Sequence, residues 1–398
     1  MATRKWQWNG YKKMAYFLLN SVRKIKEINV EKFPETNSDT YRTNRCILRF
    51  LLLILSYTGL VKNSGIHCGW KPIVFVIILL FVNVDNWILL ILQYNETFVL
   101  RTIIAYIITY LLAACAWYSI YLKRKQLADL LTKLQEMSFS TEGKKVIFLV
   151  LIVCCTPIAT SATATIFVIE TNSTYFSYGY KIENPFEEIF LVCFKNVFNT
   201  IVFPTFTNII AIFYCLICFR LQSEIKHVTL EIQKCHYGNF SESKRNEILR
   251  WKSRINDALH CTEEVFSQAS FIIIVANLLT CFSMLSTYLD NNIWRREYLS
   301  LYAEWILYSI NCLGSVIFIL WIAGGIPVVE SAFKEAFHEK MCFRMLLTGS
   351  SENLKLEKWF FSNQEVVLSG AGILSYRRSS IFAVFGTLVT YTVLVVNN

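Results

Sequence analysis

The sequence predicts an all-α polytopic membrane protein. It has seven transmembrane helices, a cytoplasmic N-terminus, an extracellular C-terminus and long cytoplasmic helical extensions. Three observations predict it. Of the 398 residues, 54% are hydrophobic and 17% charged, where soluble domains carry about 25% charge. Uncharged apolar runs of membrane-crossing length recur from residue 72 to the end. Lysine and arginine gather on alternate connections between those runs, the asymmetry that orients a chain in a membrane.

Residues 1–71 read as a polar, lysine-rich cytoplasmic segment without a cleavable signal peptide. Within it, 46–61 is apolar but short and holds Arg49. That suits a pre-span helix at the interface or packed beneath the bundle. Spans are expected at 72–92, 99–122, 146–169, 188–219, 265–289 and 299–323, forming a ligand-sensing bundle. Pro72 opens the first, and the collar Lys123-Arg124-Lys125 closes the second. Pro157 lies inside the third and Pro204 inside the fourth. The fourth pattern runs on past Arg220 through Leu221, Ile225, Val228 and Ile232. A second amphipathic stretch, Ile248, Trp251, Ile255, Leu259 and Val265, leads into the fifth. An unbroken helix over 243–289 extends roughly 70 Å, so 220–264 is expected to form a paired stalk. With 330–378 it supplies the cytoplasmic anchor segments. Gly324-Gly325 and Pro327 end the sixth span. The seventh, 379–396, follows Arg377-Arg378 and carries no charge.

With the N-terminus inside, the inner segments 1–71, 123–145, 220–264 and 330–378 hold 34 of the 39 Lys+Arg. If 46–61 were a span, the ten basic residues of 1–45 would move outside. The sequons at Asn95 and Asn172 then fall on outer loops as possible glycosylation sites, while a third, at Asn239, falls inside. None of the 13 cysteines lies in an outer segment, which reads as buried or reduced thiols.

No Walker loop, dinucleotide-binding glycine motif or HExxH is present, and the five histidines form no spaced metal set. No catalytic residue, metal or cofactor is expected. The net charge of +10 reads as membrane orientation, with the lipid bilayer rather than nucleic acid as partner. The candidates for function are polar residues at membrane depth. Lys195 and Glu304 either pair across an outward-opening pocket or snorkel to the interface. Asp85 bonds to a neighbouring helix or marks a water-filled cavity. Tyr106, Tyr110, Thr160, Thr163, Asn199, Asn277, Thr280, Trp305 and Tyr308, with Ser283 and Asn311, offer aromatic walls and a few hydrogen-bonding groups. That combination suits a small organic ligand. In the last span, Ser380, Ala383, Thr387, Thr390, Tyr391 and Leu394 recur at spacings that share a helical face. Such a stripe packs against a close helix neighbour, or faces water in a pore enclosed by several copies about an axis.

The end of this span resembles insect gustatory receptors, within the arthropod chemoreceptor family that includes the insect odorant receptors. The matching residues are Thr390 and Tyr391, the run Thr392, Val393, Leu394, Val395 and Val396, and then Asn397 and Asn398. The family ends on Gln-Phe, so Asn397 keeps an amide and Asn398 replaces an aromatic. The approach, Gly372 to Arg378 and then Gly386 to Val389, is similar too. The resemblance implies a tetrameric, ligand-gated, largely non-selective cation channel in the plasma membrane of chemosensory neuron dendrites. The subunits form a homotetramer or a heteromer with related receptors. Small-molecule tastants bind in the outer half of each subunit, and four copies of the last span line the pore, with Thr387, Thr390 and Tyr391 on or near the gate-bearing helix. Two other classes stay open on the residues alone. A G-protein-coupled receptor has seven spans in the opposite orientation. A secondary transporter would route a solute past Asp85, Lys195 and Glu304.

Overall fold

A computed structural model describes residues 51–61, 70–92, 97–136, 150–156, 158–163, 177–236, 240–289, 299–348 and 366–396. The expected N-terminal segment up to residue 50, the sequons at Asn95, Asn172 and Asn239, and the ending Asn397-Asn398 lie outside the described residues. The helices are α1 (Lys71–Leu92), α2 (Thr97–Leu122), α3 (Arg124–Glu136), α4 (Pro185–Thr200), α5 (Thr207–Lys234), α6 (Glu242–Leu289), α7 (Leu299–Ala323), α8 (Ile326–Thr348) and α9 (Ser380–Val396). A short antiparallel hairpin, β1 (Ser369–Gly370) and β2 (Leu374–Ser375), precedes α9. Further helical residues occur at 51–57, 150–156 and 158–163.

The 48 residues of α6 contain neither proline nor glycine, so nothing breaks its hydrogen-bond ladder. It extends about 72 Å. Its buried residues, among them Ile248, Ile255, Leu259, Phe266, Ile273 and Ile274, recur at helical spacing. α2, α3, α5, α7 and α9 all pack along it. α5 lies at the centre, buried over most of its length. It joins α4 through a π-helical turn, Ile201–Phe206, where Phe203 is extended (φ −147°, ψ 129°) before a cis Pro204. Pro204 supplies no amide hydrogen, which accounts for the kink. At the Glu242 end, α8 packs on α5. There Lys252 Nζ lies 2.5 Å from Glu330 Oε2 and 2.6 Å from Asn256 Oδ1, tying α6 to α8. Leu51, Leu55 and Leu60 are buried in the same core, and Trp117 Nε1 donates to the Thr58 carbonyl at 2.9 Å. α1 lies at the periphery. Ile73, Ile77, Leu80, Val84, Ile88 and Ile91 are exposed along one side of it, a face suited to acyl chains.

The bundle is all-α and polytopic, but the expectation of seven transmembrane helices is not met. Among the described residues, four stretches are long and apolar enough to cross a membrane: Pro72–Leu92, Pro185–Lys234, Glu242–Leu285 and Tyr308–Phe343. The apolar stretches Ile107–Leu122, Val150–Thr163 and Ser380–Tyr391 are 10 to 17 residues long. They fall in the expected second, third and seventh spans. At 1.5 Å per residue they reach at most about 26 Å, short of the ~30 Å hydrocarbon core. The expectation counted apolar runs between charges, whereas the four are counted from helix length and hydropathy together among the described residues.

The hairpin before α9 is held by three successive turns of α6. Ser369 Oγ donates to Glu263 Oε1 (2.7 Å), and the Ala371 amide donates to the Ser267 carbonyl (3.1 Å) and Oγ (2.9 Å). Tyr376, fully buried, shares a 2.7 Å hydrogen bond with Ser270 Oγ. The end of α7 comes equally close. A Cβ at Gly324 would lie 2.7 Å from the Arg378 nitrogen, so only glycine admits this backbone approach. The Arg378 guanidinium lies 4.6 Å above the Trp321 ring, and Ser380 Oγ donates to the Ser375 carbonyl at 2.9 Å. The start of α9 is thereby fixed to α6 and α7.

A Cβ at Gly370 would lie 2.5 Å from Tyr376 Oη and 3.1 Å from Phe271 Cβ. Gly370→Ala should therefore destabilise the detergent-solubilised protein by about 1–3 kcal/mol. Because the tighter clash is with the hydroxyl, Tyr376→Phe in the same chain should recover part of the loss. Thermal unfolding of the two single variants and the double variant measures the coupling, and strict additivity would contradict this packing.

Candidate functional site

Two buried charges meet near the Leu289 end of the bundle. Lys195 on α4 and Asp85 on α1 are both 3% exposed, with Nζ 2.9 Å from Oδ1. Tyr178, in the turn ahead of α4, completes the group. Its hydroxyl donates to the same Asp85 oxygen, and Lys195 Nζ lies 3.6 Å from its ring centroid. The turn holds Tyr178 and Gly179 at positive φ (57° and 86°), and the Ser177 hydroxyl donates to the Tyr180 carbonyl. α4 then begins at Pro185, with Asn184 Oδ1 accepting from the Phe186 amide at 3.0 Å. Burial, followed by the Asp85 carboxylate, pushes the Tyr178 phenol well above its ordinary value, so it stays a donor. The sequence offered Glu304 as a partner for Lys195; among the described residues its partner is Asp85, and the Glu304 side chain lies outside them.

A chain of hydroxyls and one amide crosses the same part of the bundle. Thr160 Oγ1 lies 3.1 Å from Thr200 Oγ1, which lies 3.1 Å from Tyr308 Oη. Asn196 Nδ2 donates to the Thr160 carbonyl at 2.9 Å, and Thr200 Oγ1 donates to the Asn196 carbonyl at 2.8 Å. This links helical residues 158–163, α4 and α7. Thr109 on α2 meets Thr280 on α6 at 3.3 Å, and Asn208 Nδ2 on α5 donates to Asn311 Oδ1 on α7 at 2.9 Å. A separate apolar cluster, including Val82, Tyr110, Val202, Phe203, Met284 and Tyr308, lies against these groups. Tyr110 stands edge-on to Phe203 at 6.3 Å. Aromatic walls with a few fixed hydrogen-bonding groups are the furnishings of a small-molecule site.

The structure brings Thr160 and Tyr308 into the hydroxyl chain, and Tyr110 into the aromatic cluster beside it. Thr280 belongs to the α2–α6 bond, and Asn277 is fully buried on α6. Thr163 and Asn199 are half-buried, with the Thr163 hydroxyl returning to the Ala159 carbonyl at 2.6 Å. The backbone places Tyr106 on α2, Glu304 and Trp305 on α7, and Leu394 on α9; their side chains lie outside the described residues. On α9, Ser380 is half-buried, and Ala383, Thr387, Thr390 and Tyr391 are exposed. The sequence reading missed Asn196, Thr200 and Asn208. A usable signal was present, since Asn196 and Thr200 are four residues apart, on one helical face, beside Lys195. Among the described residues, no group of three or more His, Cys, Asp or Glu is arranged to hold a metal.

Lys195→Met should destabilise the fold by about 3–5 kcal/mol, because it leaves the Asp85 carboxylate buried without its counter-charge. Asp85→Asn added to Lys195→Met should restore most of that loss. Thermal unfolding of the purified variants checks both, and a double variant no more stable than Lys195→Met would show that the pair does not act as a unit.

No protein-family model matches the sequence, and no curated protein matches it. Solved structures do. The insect olfactory receptor OR5 from Machilis hrabei superposes with a TM-score of 0.69 at 13% identity, covering 89% of this chain and 99% of the receptor. The same receptor in complex with eugenol gives a TM-score of 0.66 at 12% identity, covering 90% of this chain and 100% of the receptor. At these identities the likeness is one of fold.

Proposed function

We propose that the chain is a chemoreceptor of the gustatory type that acts as a ligand-gated, non-selective cation channel. It is a multi-pass plasma-membrane protein of chemosensory cells. A tastant binds beside the hydroxyl chain near the Leu289 end of the bundle, and α9 from each subunit of a homotetramer or heteromer lines the pore. The observation that carries this reading is the placing of α9. Val384 is buried against the bundle, while Ala383, Thr387 and Thr390 are exposed about a quarter-turn away. Among the described residues of its own chain, that stripe has no helix to pack against.

A rotation axis beside the stripe would place it along a shared aqueous path. The Thr387 hydroxyl donates within its own helix, at 2.8 Å to the Val384 carbonyl and 3.1 Å to the Ala383 carbonyl. Its oxygen lone pairs remain for a passing hydrated cation. Two further points support the reading. The fold is shared with a receptor whose solved complex holds the small aromatic molecule eugenol. The Thr390-Tyr391 ending resembles gustatory receptors.

Thr387→Val and Tyr391→Phe each remove a hydroxyl at nearly constant volume. In cells expressing the chain, both variants should reach the surface at wild-type levels. At least one should shift the conductance or reversal potential of the ligand-evoked current. Wild-type currents in both would remove α9 from the conduction path.

A further inference from the structure

Close to the hydroxyl chain, the bundle holds hydrogen-bonding atoms that no described residue uses. Asn277 on α6 is fully buried, and neither its Nδ2 nor its Oδ1 has a partner among the described residues. The bond between Asn208 and Asn311 leaves Asn208 Oδ1 and Asn311 Nδ2 open, and Ser315 Oγ, one turn further along α7, is open as well. These atoms share a level. α6 and α7 run antiparallel, with the Cys281 thiol against the Ser309 carbonyl at 3.8 Å. Asn277 lies one turn from Cys281 toward the Glu242 end of α6. The same step along α7 from Ser309 reaches the turn between Asn311 and Ser315. Three helices therefore carry two amide donors, two amide acceptors and a hydroxyl at this level of the bundle. Buried polar atoms are normally paired, so five open ones at one level offer a set of hydrogen bonds that a bound molecule or ordered water can complete.

The chemistry of that molecule follows from the set. None of the five atoms carries a charge, so an ion entering the locus would leave water without a counter-charge. Asn277 offers a donor and an acceptor from a single planar group. Its best complement is another planar group with an adjacent acceptor and donor. Ala276, next to Asn277, belongs to the cluster that contains Tyr110, Phe203 and Tyr308, so an apolar ring would have aromatic neighbours.

We infer that the locus formed by Asn208, Asn277, Asn311 and Ser315 binds a neutral carboxamide or lactam carried on a small apolar body. The ligand C=O accepts from Asn277 Nδ2, and its N–H donates to Asn277 Oδ1. This names the ligand class of the proposed receptor site and rests on that reading for its biological meaning.

The test uses the purified full chain and three molecules of one shape: benzamide, acetophenone and benzoate. Binding is read as concentration-dependent thermal stabilisation. Benzamide should stabilise the protein saturably. Acetophenone, which lacks the donor, should bind at least about 10-fold more weakly, and benzoate should not bind detectably. Asn277→Leu should weaken benzamide about 10-fold or more while changing acetophenone by less than about 3-fold. Asn277→Ser, with a smaller side chain, serves as a second variant and should also weaken benzamide. No stabilisation by benzamide, equal affinity for benzamide and acetophenone, or unchanged benzamide binding in the variants overturns the inference. Currents recorded separately keep the two proposals apart. Benzamide binding without any ligand-evoked current counts against the channel reading alone. Current evoked by other molecules, without benzamide binding, counts against the carboxamide assignment alone.

Discussion

The unbroken length of α6 is the constraint on which the rest of the molecule depends. A helix of 48 residues is far longer than a bilayer requires, so it runs from the candidate site near Leu289 to the α5–α8 packing at its Glu242 end. Between them, Glu263, Ser267 and Ser270 hold the hairpin that delivers α9. α6 therefore joins both ends of the bundle to the start of α9 through direct contacts. The close approach at Gly324 adds α7 to the same junction. Packed helices transmit displacement because interiors are dense and compress little.

An apolar bundle makes every polar group inside it costly unless it is paired. The pairings here join elements distant in sequence: Asp85 to Lys195, Thr160 to Thr200, Thr200 to Tyr308, Thr109 to Thr280, and Lys252 to Glu330. Each fixes the register of two helices against one another. The hydrophobic driving force is non-directional, so these bonds add a directional specificity to that of side-chain packing. They also concentrate hydrogen-bonding capacity where a ligand of matching shape can compete for it.

Much of this was legible in the sequence, and the limits have physical causes. The absence of proline and glycine from 242–289, with apolar residues at helical spacing, already implied a helix projecting well beyond a membrane. Tyr110, Thr160, Asn277, Thr280 and Tyr308 were identified as candidates because polar and aromatic residues at membrane depth are few and conspicuous. Their partners could not be read the same way. Lys195 pairs with Asp85 because α1 packs beside α4, a fact of tertiary arrangement that no local pattern encodes. The hairpin was hidden inside a segment read as a polar connection, although Gly370-Ala371-Gly372 between Leu368 and Leu374 is a turn signal. The helix bounds at 71–92, 97–122, 299–323 and 380–396 follow the apolar runs closely, yet four stretches among the described residues are long and apolar enough to cross a membrane, not seven.

The central claim is that the hydroxyl stripe of α9 faces water in an assembled channel. Single cysteines placed along α9 in membranes of intact cells, probed with a charged, membrane-impermeant thiol reagent during ligand application, test it most directly. The account predicts reaction at Ala383, Thr387 and Thr390, with blocked current, and protection at Phe382, Val389 and Val393 on the far side of the helix. Protection of the stripe, or equal reaction all round the helix, would contradict it.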